Sequence, residues 1–417
     1  FYTAYRADRP EVGMWAQDWT LPEPTADSYT DEMMANAKEF SDTAMVVITR
    51  VGGEGADLPT DVSKVTYTDN STEYKDFEAG EHYLQLDRTE RDMLDLVCSN
   101  FDNVIVVYNG ANAMELGFIN EYSQIKSAIW CPGTGQSGFE ALGEIVAGTV
   151  NPSGKTSDTF VADLTATPTW NNFGYFKYDN MDEYEYTSNN FKTGEEETAL
   201  PSFVNYVDGI YVGYRFYETA AAEGLINYDD TVVYPFGYGL SYTTFTQEMG
   251  AISEDNGTIS FDVTVTNTGD VAGKDVVEVY YNPPYTNGGI EKASANLIQF
   301  EKTEVLQPGD SQTITVSFDA EDMASYDTYG AGCYVLEAGD YQISINSDSH
   351  NVIDSQTYTV ASTVTYDESN PRSTDETAAV NEFAYAEGDV TYLSRADGFA
   401  NYADATAAPA SMSMSDE

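Results

Sequence analysis

The stretch AMVVITRVGGEGAD, residues 44–57, decides how the first part of this chain folds. Its first half is a continuous apolar run, residues 44–48, which is typical of a parallel strand covered on both faces and predicts a strand over residues 44–49. Its second half is a glycine-rich turn that presents one carboxylate, Glu54, at the strand end where ligands bind in such sheets. Gly53 and Gly55 flank Glu54 and leave room for a substrate to approach it closely. We therefore predict that Glu54 is the catalytic residue.

The chain is strongly acidic. Its 417 residues include 18 Lys and Arg against 70 Asp and Glu, which gives a net charge of −52. Such a field repels phosphate backbones, so we expect no nucleic-acid partner. We find no acidic loop with calcium-binding spacing and no cluster of histidines, and we expect no metal and no other cofactor. The acidity favours an extracellular or cell-surface protein, with the cytoplasm as the alternative.

Residues from about 40 to 165 alternate short apolar runs with helical patterns. This alternation predicts an α/β layer with a mainly parallel sheet. The predicted strands are residues 44–49, 103–108 and 127–130, and the predicted helices are residues 89–97, 114–122 and 138–148. Residues 166–235 are rich in Tyr, Asn and Asp, and we predict that they form irregular loops.

From about residue 248 the apolar pattern changes to a period of two. Short alternating strands separated by turn signals predict a β-sandwich of the fibronectin-III-like kind. The predicted strands are residues 258–267, 275–280, 296–303, 312–318 and 339–346. The tail, residues 365–417, has the composition of a linker, with residues 388–395 as one further ordered segment.

Five segments of the chain resemble glycoside hydrolase family 3, and they occur in that family's order. They are RVGGEGAD at 50–57, the PG…NPSGK stretch at 132–155, YVDGIYVGYR at 206–215, FGYGLSYTTF at 236–245 and NTGDVAG at 267–273. The resemblance implies a β-glucosidase-like enzyme built from an (α/β)₈ barrel, an (α/β)₆ sandwich and a fibronectin-like domain. This chain would hold residues 1–235 as an (α/β)₆-sandwich domain without its first strands, residues 236–360 as the fibronectin-like domain, and residues 361–417 as an extension or linker.

The same resemblance assigns roles to the glycine-rich turn. In the family an Asp of the barrel is the nucleophile, and Glu54 matches the general acid/base of many members. Arg50, Gly53, Gly55 and Asp57 would bind substrate or shape the loop. Retaining hydrolysis requires two carboxyl groups about 5–5.5 Å apart, one to attack the sugar and one to protonate the leaving oxygen.

Two departures from the family pattern bear on this assignment. Ser137 stands where many relatives carry a Glu that serves as the acid in other branches, which leaves Glu54 as the candidate. The S-D-W/F motif of the barrel nucleophile does not occur in the sequence. The substrate would be an oligosaccharide or β-glycoside, and the nucleophile would lie on a barrel domain of the same gene or of a companion chain.

The position of that barrel has two alternatives. A linker-like tail predicts the circularly permuted order, with the barrel after residue 417; an acidic tail on an ordinary enzyme would place the barrel upstream. A second function class is also open, a non-catalytic carbohydrate-binding or cell-surface module derived from such an enzyme. The sugar, glucose or a xylose-like unit, and the oligomeric state are left open by the sequence.

Overall fold

The computed structural model describes residues 25–52, 58–64, 77–174, 176–190, 193–382 and 390–414. The chain divides into two compact units: Phe1–Leu142 with Asn190–Glu195, and Gly143–Asn189 with Glu196–Glu417. This division does not fall at residue 235, where the sequence predicts a boundary, and the predicted domain boundaries stay predictions. Among the described residues, no helix has the length and apolarity needed to span a bilayer.

The first unit contains the predicted parallel sheet. Strands β1 (Thr43–Thr49), β2 (Asn103–Asn109) and β3 (Ile125–Trp130) are parallel and lie side by side in that order. Two helices belong to this unit, α1 (Asp31–Phe40) and α2 (Arg88–Asn100). The three predicted strands and the helix predicted at residues 89–97 are therefore confirmed. The expectation that β1 is covered on both faces is wrong, because Met45 and Val47 on one face are 44% and 43% exposed, whereas Val46 and Ile48 on the other face are buried.

Helix α2 starts at a capping box. The Asp87 side chain accepts a hydrogen bond from the Glu90 N–H, and the Glu90 side chain accepts one from the Asp87 N–H. This reciprocal pair satisfies two of the backbone donors that a helix start leaves without partners. Leu94 and Cys98 are buried one helical turn apart, so the helix lies with this face in the core.

The helix predicted at residues 114–122 is wrong. The segment contains only a 3₁₀ turn, Gly117–Asn120. Met114, Leu116 and Phe118 are all buried, and the Glu115 N–H donates to the carbonyl of Leu84 instead of to a helical partner. Burial at every second residue is not compatible with one face of an α-helix, and the tertiary contacts override the local pattern.

The second unit contains five helical segments, the first of which begins just before the division between the units. They are α3 (Phe139–Val146), α4 (Tyr214–Ala222), α5 (Tyr228–Thr231), α6 (Ala396–Phe399) and α7 (Tyr402–Ala405). In α6, Asp397, Gly398 and Phe399 have positive φ angles, so this segment is a left-handed turn and not a regular helix. The helix predicted at residues 138–148 is confirmed in α3. Residues 166–235 are less irregular than predicted, because α4 buries Phe216, Tyr217 and Ala220 in one apolar cluster.

Short strand pairs surround these helices. They are β4 (Phe160–Val161) with β9 (Val232–Tyr234), β5 (Phe176–Lys177) with β8 (Ser202–Phe203), and β6 (Tyr186–Asn189) with β7 (Glu196–Ala199). The remaining 3₁₀ turns of the chain are Ala26–Ser28, Val62–Lys64, Leu164–Ala166, Met181–Tyr184 and Ala320–Met323.

The second half of this unit is the predicted β-sandwich. One antiparallel sheet contains β10 (Phe245–Met249), β11 (Ser253–Asp255), β12 (Thr258–Asn267) and β15 (Ser311–Asp319). The other contains β13 (Val276–Asn282), β14 (Asn296–Lys302), β18 (Gly339–Asn346) and β19 (Val352–Val360). Its strands lie in the order β14-β13-β18-β19. A third, small sheet contains β16 (Ser325–Tyr326), β17 (Tyr334–Leu336) and β20 (Val364–Tyr366). The fibronectin-III-like fold class is confirmed.

The sandwich core follows from the period-two pattern. Ile259, Phe261, Val263 and Val265 of β12 are all buried in one cluster, and the residues between them are less buried. Alternate side chains of a strand point to opposite faces of the sheet, so one face fills the core while the other meets solvent. This regularity is why the sequence predicts β12 with the same bounds that the structure shows.

The end of the chain packs more closely than its linker composition predicts. Leu393, Phe399 and Ala405 are buried in the same cluster as Tyr211 and Phe216. The Leu393 N–H donates to the Val207 carbonyl at 2.7 Å. Three apolar side chains at this spacing are enough to fix the segment, although Ala, Asp and Ser dominate the composition around them.

Candidate functional site

The candidate site lies at the edge of the first unit's sheet where the three parallel strands end. The Arg50 N–H donates to the Asn109 carbonyl at 3.1 Å, and the Asn109 side-chain amide donates to the Cys131 carbonyl at 2.7 Å. The Trp130 indole N–H donates to the Gly110 carbonyl at 2.7 Å. These bonds connect the three strand ends to one another, at the edge where α/β sheets bind ligands.

Arg50 is the first residue after β1, and its guanidinium is held by five hydrogen bonds. Nε donates to the Tyr83 carbonyl at 2.6 Å, Nη1 to the Thr49 carbonyl at 2.8 Å, and Nη2 to the Gln85 carbonyl at 2.5 Å. Nη1 and Nη2 each donate to one carboxylate oxygen of Glu90 at 2.7 Å. A guanidinium has five N–H donors. All of them point to protein acceptors, which favours loop shaping over substrate binding for this residue.

The partner of Arg50 is presented by the start of helix α2. Glu90 is buried with the guanidinium, and the capping box with Asp87 fixes its side chain. Burial by itself would lower the pKa of Arg50, but the Glu90 carboxylate more than offsets this effect and the pKa is raised. The pair is therefore buried and bidentate, the geometry in which an Arg–carboxylate contact is most specific.

Tyr83 connects the two described ends of the glycine-rich segment. Its hydroxyl accepts a hydrogen bond from the Val51 N–H at 3.3 Å, and its own N–H donates to the Pro59 carbonyl at 3.1 Å. The Arg50 guanidinium carbon lies 5.4 Å from the centre of the Tyr83 ring. Tyr83 is fully buried, so it forms a fixed point between the residues that precede and follow positions 53–57.

The two ends of the segment also lie beside each other. A methyl group added at Gly52 would lie 3.1 Å from Cδ2 of Leu58 and 3.2 Å from Oδ1 of Asn112. Both distances are shorter than ordinary van der Waals contact, so only a glycine fits at position 52 without displacement. Asn112 follows the end of β2 and its carbonyl accepts a hydrogen bond from the Tyr108 hydroxyl at 2.7 Å.

The structure places one of the five predicted site residues. Arg50 lies at the carboxyl end of β1, as the sequence predicts. Glu54, Gly53, Gly55 and Asp57 lie outside the described residues, and their roles stay predictions.

Sequence reasoning missed Glu90 and Tyr83 as residues of this site. A signal for Glu90 was present, because Asp87 and Glu90 have the spacing of a capping box and Glu90 is therefore fixed at a helix start. Its pairing with Arg50 is a contact across 40 positions of the chain, and no local pattern indicates it. Within the ranges that the structure describes, no group of three or more His, Cys, Asp or Glu could hold a metal ion.

Three of the family-like segments meet in the second unit. The Asn151 side-chain oxygen accepts from the Ser241 hydroxyl at 3.0 Å and from the Tyr242 N–H at 2.8 Å, and its amide donates to the Ala272 carbonyl at 3.1 Å. Asn267 bonds in the same way to the Thr243 hydroxyl and the Leu306 carbonyl. These hydrogen bonds hold the sandwich to the residues before it.

Comparison with known proteins gives a consistent result. Residues 10–242 match the model of the glycosyl hydrolase family 3 C-terminal domain, and residues 275–349 match that of the fibronectin type III-like domain. "Beta-glucosidase A" of Butyrivibrio fibrisolvens is 33% identical over an alignment of 375 residues, and the match covers 83% of this chain and 40% of the relative. "Beta-glucosidase" of Ruminococcus albus is 31% identical over 369 residues, 87% of this chain and 33% of the relative.

A solved structure resembles this chain over most of the length of this chain. The crystal structure of a β-glucosidase from Paenibacillus barengoltzii has a TM-score of 0.69 and 31% sequence identity, and the match covers 87% of this chain and 35% of that chain. The chain thus spans between one third and two fifths of the length of these relatives.

Proposed function

Because this chain belongs to glycosyl hydrolase family 3 and carries its C-terminal domain, we propose that it is part of a retaining exo-β-glycosidase that removes terminal β-linked glucose or xylose-like residues. Glu54 would be the general acid/base. The nucleophile would be an Asp on a barrel domain outside this chain. The relatives named above are β-glucosidases by name, and they supply the substrate class for this proposal.

The observation that carries the proposal is the anchoring of Arg50 by Glu90. An acid/base must return to the same place in every turnover, and a misplacement of about 1 Å can cost roughly a hundredfold in rate. The bidentate pair fixes the residue after β1, and Tyr83 holds both described ends of the segment that carries Glu54. The buried ion pair would thus hold in place the point from which the segment with Glu54 begins, and Glu54 has to approach the substrate.

The reaction would run in two steps. The protonated carboxyl group of Glu54 donates its proton to the glycosidic oxygen while the barrel Asp forms a bond to the anomeric carbon, and the aglycone leaves as an alcohol. In the second step the Glu54 carboxylate takes a proton from water, whose oxygen attacks the anomeric carbon and releases the Asp. The configuration at the anomeric carbon is retained because it is inverted twice.

The test is Glu54→Gln in the complete protein that the gene encodes, with Glu32→Gln, an exposed carboxylate in helix α1, as the matched control. On an alkyl β-glucoside, whose leaving group needs a proton, we expect kcat/KM to fall by about 10²–10⁴-fold. On a dinitrophenyl β-glucoside the first step should be spared, because that leaving group departs without a proton. Equal activity of the Glu54→Gln and Glu32→Gln proteins on the alkyl glucoside would refute the assignment.

The alternative is a non-catalytic carbohydrate-binding module. It predicts that the complete, unsubstituted protein binds β-glucosides or their oligomers in calorimetry but hydrolyses neither the alkyl nor the aryl glucoside. The wild-type measurement therefore separates the two functions before any variant is made.

A further inference from the structure

The loop before helix α4, residues 206–213, exposes three large apolar side chains. Tyr206, Ile210 and Val212 are 74%, 42% and 57% exposed. Single exposed apolar residues are common on protein surfaces, whereas here three lie within seven positions of one loop. Residues Leu393 and Phe399 near the chain end pack against the other side of this loop.

The loop is held in place and is not a free surface segment. Val207 and Tyr211 are 2% and 1% exposed, and the Tyr211 ring contacts Phe399 edge to face with 5.0 Å between ring centres. Gly209 and Gly213 have φ values of +54° and +57°. Glycine adopts this left-handed conformation at little cost, and here it turns the chain so that Ile210 and Val212 face outward while Tyr211 faces inward.

Asp208 belongs to the same loop and is 6% exposed. Among the described residues, no side chain donates a hydrogen bond to its carboxylate and no Lys or Arg lies within ion-pair distance of it. Burial raises the pKa of Asp208 above its ordinary value, and only a backbone N–H opposes the change. The carboxylate oxygens of Asp208 keep some contact with water, so a cation of another domain could reach them, and carboxylates that are largely removed from water are normally paired.

We propose that residues 206–213 form the docking surface for the additional domain that the longer relatives carry, and that a Lys or Arg of that domain pairs with Asp208. Tyr206, Ile210 and Val212 would supply the apolar contact around this ion pair. The proposal rests on the proposed function to the extent that both require a further domain in the complete protein.

Two observations identify this occupant. The relatives are about two and a half to three times as long as the match, and in a protein of that length this region would need a surface that contacts the other domains. The chain itself offers few cations, with 18 Lys and Arg against 70 Asp and Glu, and an uncompensated buried acid is therefore more readily paired by another domain.

The experiment measures solvent accessibility by hydroxyl-radical labelling of the complete protein. Tyr206 and Tyr329 are 74% and 78% exposed in this chain, so Tyr329 is the internal control. We expect Tyr206 to be labelled about tenfold less than Tyr329, because the core of a domain interface excludes water. Equal labelling of the two tyrosines, including the case in which the gene ends at residue 417, would overturn the proposal.

Variants of exposed positions make the test specific to this surface. Val212→Asp and Asp208→Asn in the complete protein should raise the labelling of Tyr206 severalfold. Val352→Asp, at a position 59% exposed on strand β19, should leave it unchanged. If Val352→Asp has the same effect as Val212→Asp, the change is not local and the docking surface is wrong. A protein that loses activity on Glu54→Gln but labels Tyr206 freely would refute this inference and keep the proposed function.

Discussion

Arg50 and Glu90 form a bidentate ion pair in which both nitrogen–oxygen distances are 2.7 Å and both side chains are 1% exposed. The pair joins the end of strand β1 to the start of helix α2. Removing one partner of a buried pair lowers the stability of the fold more than replacing both partners by apolar residues. The charge that remains after a single replacement is left in an interior that solvates it poorly.

Replacing Arg50 by Met should therefore destabilise the first unit by about 3–5 kcal/mol, since Glu90 would stay buried without its cation. The measurement is hydrogen exchange of the peptides that cover residues 81–100 and 103–109. Arg91→Met is the matched control, because Arg91 is half-exposed and lies 4.0 Å from Glu121, and exposed pairs contribute about 0–1 kcal/mol. Equal protection in the two variants would contradict this account of the pair.

Tyr83 should position the glycine-rich segment through its hydroxyl. Tyr83→Phe removes the acceptor of the Val51 N–H and should lower the free energy of unfolding by only about 1 kcal/mol. If the segment carries the acid/base, kcat on alkyl glucosides should fall more than kcat on dinitrophenyl glucosides, while KM changes little. Tyr122→Phe is the control, because it loses one hydrogen bond to Asp95 at an exposed site. A uniform decrease on both substrates would point to a purely structural role.

The proton on the buried carboxyl group of Glu278 should stabilise the second unit, and this stabilisation should be lost as the pH rises. Its carboxyl group is buried, which raises its pKa from 4.5 to about 7, although a hydrogen bond from Tyr280 and the charge of Lys155 act in the opposite direction. The folded state therefore holds the proton more tightly than the unfolded state. The resulting stabilisation is complete below about pH 4.5 and is lost as the pH rises through 7, about 3 kcal/mol in total.

The measurement is the Tm of the wild type and of Glu278→Gln between pH 4.5 and 8. The Gln variant should lose the decrease in Tm, since an amide does not titrate. Glu301→Gln, an exposed position on strand β14, should keep it. Parallel curves for wild type and Glu278→Gln would exclude Glu278 as the source of the pH dependence.

The chain end should contribute to the stability of the second unit. Phe399 is 1% exposed and contacts the rings of Tyr211 and Phe216, so Phe399→Ala should cost about 3–5 kcal/mol. Phe173→Ala is the control, because Phe173 is 53% exposed. Limited proteolysis of residues 390–414 reports the effect directly, with faster cleavage expected in the Phe399→Ala protein alone. Rapid cleavage in the wild type would support the linker that the composition predicts.

The sequence by itself determined the elements whose periodicity is unambiguous. The Val and Ile runs of β1 and β2 predict parallel strands, and the alternation in β12 predicts a strand with one face in the core. The sequence did not determine how far β1 is buried, because Met45 and Val47 are 44% and 43% exposed. The same local patterns located Arg50 at the end of β1, because a strand that ends in a glycine-rich turn puts the next residue at the sheet edge.

The tertiary structure decided which residues meet. Glu90 pairs with Arg50 across 40 positions of the chain, and Tyr83 joins the two ends of a segment to which it is not adjacent in sequence. Residues 114–122 do not form the predicted helix, because their apolar side chains are buried on more than one side. Leu393 and Phe399 likewise gain their role from Val207 and Tyr211, nearly 190 positions away. Local spacing encodes a helix or a strand, but a contact between distant residues depends on how the whole chain packs, and no window of the sequence contains it.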